Sequence, residues 1–230
     1  MKKSLLVLFS ALVSFAGFAQ TTNNSSNYFV EAYDVSGKPF TSKSKLDVEG
    51  SAMLSDDWNE GMVIFERGYS ISKIEVQFNL YENELYFRKD NVVYTFADAV
   101  REFSIPFNDE GQIRILKFRN GYTPQHKRTL NSFYQVLADG KKMQLLKYVS
   151  KIVREKWEYN GPVKKFYEMK EEYFIQDNLT GELTAIKKDK QSVIKALPSY
   201  SGSINKLAKE NDLDLNSEAG VIRLIELLNG

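Results

Sequence analysis

Carboxylates are the only side chains whose types and spacing suggest acid–base chemistry. Asp56, Asp57 and Glu60 cluster around Trp58. Paired carboxylates beside an aromatic ring suit glycan hydrolysis, where one carboxyl gives a proton and the other attacks or activates water. The spacing fits no calcium-loop pattern, and Asp is also an ordinary turn residue. Glu171 and Glu172 are adjacent, so on a strand they point to opposite faces and cannot act together. The single histidine, His126, stands beside Lys127 and Arg128 and reads as a solvated loop residue. The absence of cysteine excludes thiol catalysis, disulfide exchange and thiolate metal sites. With one histidine, a zinc site would need carboxylates almost alone, so neither metal nor cofactor is expected. There is no nucleophile elbow, phosphate loop or dinucleotide fingerprint.

A second group could bind rather than react. Tyr148, Lys156, Trp157, Tyr159, Lys164 and Tyr167 are the candidate binding residues, in a region that also carries Lys151, Arg154, Lys165, Phe166 and Tyr173. Aromatic and basic residues interleaved on a sheet can stack bases or sugars. The plainer reading is a twisted hairpin with mixed faces.

The elements that must position these groups are mostly strands. Ile74, Val76, Phe78 and Leu80 alternate with polar residues from Lys73 onward, the period of a half-buried strand. Glu82–Glu84 and Asp90-Asn91 turn this strand into two more, making an antiparallel meander. Further strands are expected at 28–33, 62–66, 102–107 and 113–118. Asp139-Gly140 reads as a type I′ hairpin turn, pairing Val136 with Met143 and Tyr134 with Leu145. Residues 141–159 read as one long strand, 163–176 as a returning strand with a helix as the alternative, and 182–187 as a last short strand. Ile74, Val76, Phe78, Phe103, Ile105, Ile113 and Phe133 are the expected core. From Asp189 the pattern becomes helical. Asp189, Ser203 and Ser217 are candidate N-caps of three short helices. The third carries Val221, Leu224, Ile225 and Leu228 on one face. The expected fold is α+β: an antiparallel meander forming a strongly curved sheet or partial barrel, with short C-terminal helices packed on it. The segments are a signal peptide at 1–19, a disordered leader at 20–27, a β domain at 28–188 and the helical tail at 189–230.

The first segment decides the compartment. Lys2 and Lys3 precede an apolar run from Ser4 to Phe15, and Gly17-Phe18-Ala19 offers small residues for cleavage. That run is too short to span a bilayer. The chain should therefore be exported to the periplasm or outside the cell, without a membrane-spanning segment. Export makes nucleic acid a poor partner and favours an envelope component, a glycan or a lipid. Charge is uneven along the chain: residues 20–110 carry 8 basic and 16 acidic side chains, residues 111–230 carry 21 and 14. Either the halves neutralise each other, or a basic face meets an anionic surface.

The run Gly50, Trp58, Gly61, Gln77–Tyr81, Leu85 and Phe103 resembles the first part of a widespread, uncharacterised family of secreted bacterial β-rich proteins. Phe133–Leu137, Gly140 and Leu145-Leu146 resemble its middle hairpin, and the tail from Asp189 its short helical end. The resemblance implies export and this architecture, but no activity and no site residues. The expected function is a non-enzymatic binding or carrier module, with a glycan hydrolase or an envelope interaction protein as alternatives.

Overall fold

The computed structural model describes residues 36–39, 47–109, 111–157, 159 and 161–230. The segment boundaries at 19 and 27 and the strand expected at 28–33 lie outside the described residues.

Among the described residues, twelve strands form one sheet. They are β1 (Gly37–Pro39), β2 (Val48–Glu49), β3 (Asn59–Phe65), β4 (Ser70–Asn79), β5 (Glu84–Lys89), β6 (Val92–Phe96), β7 (Val100–Asp109), β8 (Gln112–Arg119), β9 (Tyr134–Asp139), β10 (Met143–Lys156), β11 (Lys164–Asp177) and β12 (Leu183–Ile186). Eleven lie on one antiparallel path, β1-β6-β5-β4-β3-β7-β8-β9-β10-β11-β12, and β2 joins β11 in parallel. The α+β, sheet-dominated class is as expected, but the sheet does not close into a barrel. No helix among the described residues is long and apolar enough to cross a membrane.

The path departs from a simple meander at β7, which pairs with β3 instead of β6. Alternating antiparallel pairs from β6 to β7 make these two strands run in the same direction. In a flat sheet they would stand four spacings of about 4.8 Å apart, roughly 19 Å, besides a strand length out of step. The four Cα steps from Phe96 to Val100 reach only about 15 Å. The sheet must therefore fold at Ala97–Ala99, where one chain path bends and changes partner from β5 to β3. The bond from Glu66 N to Ala99 O (2.9 Å) holds that corner against the end of β3.

The alternation expected from Lys73 holds, but β4 starts earlier and changes phase. Ile71 and Ile74 are both buried. Lys73 is bulged with φ of 58°, between the pairs Met62↔Ser72 and Gly61↔Ile74. The extra residue moves the apolar set from odd to even positions. Gly61 opposite lacks a Cβ for a steric reason: one would stand 2.7 Å from Ser104 O.

Among the described residues three hydrophobic clusters result, the smallest around Tyr134, Leu146 and Phe174. Phe78, Phe103, Phe118 and Phe133 pack edge-to-face or stacked, with centroids 4.8–6.0 Å apart, inside the folded part of the sheet. Ile113 is the exception among the expected core residues, at 75 % exposure. It sits near the tip of the β7–β8 hairpin, beyond Phe118 and Arg119, where β9 pairs with β8.

The second core lies beneath the helices α1 (Lys190–Ala196), α2 (Ser201–Glu210) and α3 (Glu218–Asn229). Leu145, Tyr173 and Ile175 from the sheet meet Val193, Ile204, Leu224 and Ile225. Asp189 and Ser217 cap α1 and α3 through Ser192 N (2.7 Å) and Gly220 N (3.0 Å). Ser203 is no cap. A 3-10 turn at Pro198–Tyr200 runs directly into α2, which begins at Ser201 with no side-chain cap.

The β9–β10 register also differs from the type I′ expectation. Asp139 pairs with Gln144 and Ala138 with Leu145, so the connection is two residues longer than Asp139-Gly140 implies. Tertiary packing supplies the reason. Asn229 of α3 accepts from Lys142 N and Met143 N and donates to Met143 O, so the helix end holds the turn's backbone.

Candidate functional site

The corner at Ala97–Ala99 opens into a cleft of about 360 Å³, within the range of small-molecule sites. Four connections build it. Glu66 follows β3, Glu82–Leu85 form the β4–β5 turn, and Phe96, Asp98, Ala99 and Val100 form the corner itself. Asn120, Asn131 and Phe133 come from the long β8–β9 connection.

Local chemistry fixes each wall. Asn79 is buried, and its Oδ1 accepts from Tyr81 N (2.9 Å) and Glu82 N (3.0 Å), which sets the turn. Asn83 takes a left-handed conformation, φ 56°, which Asn tolerates better than most residues. Its amide then mimics a strand neighbour, accepting from Phe133 N (2.7 Å) and donating to Phe133 O (3.3 Å). Asn120 donates to Val100 O (2.7 Å) and ties the long connection to β7.

The cleft has an apolar floor and an acidic rim. Leu85, Val100 and Phe133 are buried, and Phe96 packs on Phe87 with centroids 4.6 Å apart. Four carboxylates stand around them: Glu66, Glu82, Glu84 and Asp98, with no Lys, Arg or His among the lining residues. Tyr69 donates to Asp98 (2.7 Å), with Arg67 3.6 Å from the same carboxylate outside the cleft. Tyr86 and Asn79 donate to Glu82. Burial, reinforced by the bond to Asp98, pushes the Tyr69 phenol up to about 12. Burial and then the bond to Glu82 push Tyr86 higher still. Both phenols therefore act as proton donors at neutral pH. Glu84 titrates above the ordinary carboxylate range, first because neighbouring atoms strip its water and then because Glu82 repels its charge. It still keeps an exposed surface toward the opening.

This arrangement can hold a positively charged group by charge and hydrogen bonding while its body rests on Phe96 and Phe133. It lacks the convergent ligands of a metal centre: no group of three or more His, Asp or Glu that could hold a metal occurs among the described residues.

The sequence-predicted residues lie elsewhere. Asp56 and Asp57 are exposed on the connection before β3, and Glu60 is exposed on β3 opposite Glu75. None of the three lines the cleft. The aromatic and basic candidates divide. Tyr148 lies under the Arg128 guanidinium, 4.2 Å from its ring centroid, and Arg128 also pairs with Glu172. Tyr167 packs edge-on against Tyr81 at 5.6 Å. Lys156, Trp157, Tyr159 and Lys164 are together at the far end of the β10–β11 hairpin.

Most of the neighbouring charges are matched. Arg154 pairs with Glu168 (2.5 Å), Lys165 with Glu155 (3.6 Å), and Lys147 with Glu218 (2.8 Å) and Glu171 (3.6 Å). Lys151 donates to the carbonyls of Ser51 (2.8 Å) and Met53 (2.6 Å). Glu171 and Glu172 do serve opposite faces, Glu171 with Lys147 and Glu172 with Arg128. His126 is exposed, with φ of 53° in the long connection.

Sequence reasoning passed over the cleft because Glu82-Asn83-Glu84 is also a good turn. The available signal was the acidic excess of residues 20–110. Part of it falls in connections that the fold brings to one corner. No family model, curated protein or solved structure matches the chain.

Proposed function

We propose that this chain is an exported, non-enzymatic binding protein whose corner cleft takes a small organic cation, an amine-type group on a compact apolar body. The observation that carries the reading is the lining of the cleft: four carboxylates over an apolar floor, with no cationic side chain among them. Export rests on the charged, apolar and small-residue pattern of residues 1–19. The resemblance to secreted β-rich proteins agrees with it. The folded, open sheet is the partial barrel of this proposal, and such sheets readily hold ligands at their mouths.

Calorimetry with 2-phenylethylamine and its uncharged analogue 2-phenylethanol tests the ligand class. The amine should bind and the alcohol should bind at least about tenfold more weakly, since a charge-assisted hydrogen bond contributes about 1.5–3 kcal/mol. Equal binding of the two, or none by either, removes the cationic-ligand reading. The hydrolase alternative gains no support from Asp56, Asp57 and Glu60, which are exposed and line no part of the cleft.

A further inference from the structure

The long β8–β9 connection lines the corner cleft at both of its ends, through Asn120 and through Asn131 and Phe133. Between those ends it leaves the cleft and crosses the neighbouring half of the sheet. Tyr122 donates to Gln144 of β10 (2.9 Å), Thr123 to Gly181 O in the β11–β12 turn (2.8 Å), and Gln125 to Leu183 O of β12 (3.0 Å). The connection is therefore a strap, closed on itself where Gly121 N donates to Leu130 O (2.7 Å).

The second half of the strap reaches the sheet through Arg128. Its guanidinium lies over the rings of Tyr148 (4.2 Å) and Phe174 (5.0 Å) and pairs with Glu172. The Arg128 side chain is only 10 % exposed, and attraction between a cation and a ring strengthens as water is excluded. Tight turns carry this anchor to the cleft. Arg128 N donates to Gln125 O (2.9 Å), Ser132 N to Thr129 O (3.0 Å), and Thr129 N to Ser132 Oγ (3.0 Å). Asn131 and Phe133 follow within five residues, and Phe133 N donates to Asn83 (2.7 Å). Packing is a poor reason for a cation here. Arg128 Nη1 and Tyr134 Oη are buried without a hydrogen-bond partner among the described residues, which opposes closure. An apolar side chain would avoid that cost. What the guanidinium adds is direction, because it must stack on two rings and meet one carboxylate at once.

We propose that Arg128 is a positioning residue of the corner cleft. By latching the strap on Tyr148, Phe174 and Glu172 it sets where Asn131 and Phe133 stand, without touching the ligand. This role rests on the cation-binding reading of the cleft and names what shapes one of its walls.

Calorimetry with 2-phenylethylamine and amide hydrogen exchange, both on the full chain, test it together. R128M removes the guanidinium and keeps an unbranched apolar stem. It should bind the amine about fivefold more weakly, the size of effect that a residue remote from a ligand transmits through contacts. Exchange should quicken at Gly121 and Phe133, whose N–H groups are bonded in the closed strap, and stay unchanged in β3 and β4. R128K keeps a cation beside Glu172 and should recover part of both. Parental affinity or parental exchange in R128M overturns the proposal. Faster exchange throughout the sheet also overturns it and makes Arg128 a general support of the fold. If the parent chain does not bind the amine, the cation reading falls by itself. Exchange needs no ligand, and its localisation or spread then decides whether Arg128 sets the wall.

Discussion

At the scale of single residues, several polar side chains hold backbone rather than ligands. Lys151 is the clearest. Burial lowers its pKa and the Asp56 charge only partly opposes this, yet the ammonium stays because Ser51 and Met53 present carbonyls at 2.8 and 2.6 Å. K151M leaves both acceptors without that donor and should lower stability by about 2 kcal/mol. A urea midpoint unchanged from that of the parent chain would contradict this. Glu218 gives a pH-dependent counterpart. Burial pushes its carboxyl up, but bonds from Lys147 and Tyr173 outweigh burial and hold its pKa below the ordinary value. A depressed folded-state pKa contributes stability above the unfolded pKa and loses it as pH falls through the folded one. Thermal scans should therefore show E218Q less stable than the parent near neutrality, with the difference shrinking in acid below about pH 4. A difference that stays constant with pH would rule out the ionised pairing.

At the scale of elements, the end of α3 is held closely against the β9–β10 turn through Asn229. A Cβ on Gly140 would lie 2.0 Å from Asn229 Cγ. G140A should therefore displace Asn229 from Lys142 and Met143. N229A loses the same bonds by another route, at about 1–3 kcal/mol. The two changes share one mechanism, so a double-mutant cycle should find the pair costing clearly less than the sum of the singles. Additive losses would mean the turn does not depend on the helix.

The elements themselves were largely legible in the sequence. Alternation located β4, the turns at Glu82–Glu84 and Asp90-Asn91 located β5 and β6, and Asp189 and Ser217 marked two of the three helices because local capping chemistry decides those starts. The failures are non-local. Ser203 failed because the Pro198 turn already launches α2. The β9–β10 register failed because Asn229, 86 residues from Met143, sets it. Ile113 failed because nothing local reveals that its hairpin projects beyond β9.

At the scale of the whole molecule, the sheet folds where β6 runs into β7, and that fold creates the cleft. Its residues come from connections that are far apart in sequence, Glu66, Glu82–Leu85, Asp98–Val100 and Asn131–Phe133. Each stretch alone is unremarkable turn chemistry, so the site could not be read before the corner was known. The charge asymmetry was legible but its geometry was not. Much of the basic second half is matched within itself, whereas Glu66, Glu82 and Glu84 of the first half gather around one opening with Asp98 and its Arg67 partner. Glu84 also gives ligand binding a pH signature. Its raised pKa means that affinity for a cation should start to fall at a higher pH than an ordinary carboxylate would dictate.

The central claim is the location of binding, and amide chemical shifts read it directly. In a titration with 2-phenylethylamine, the perturbed amides should be those of Glu82–Leu85, Asp98–Val100 and Asn131–Phe133. 2-Phenylethanol at equal concentration should leave them nearly still. Perturbations centred on Asp56–Glu60 or on the hairpin tip, or equal responses to the two compounds, would contradict the account.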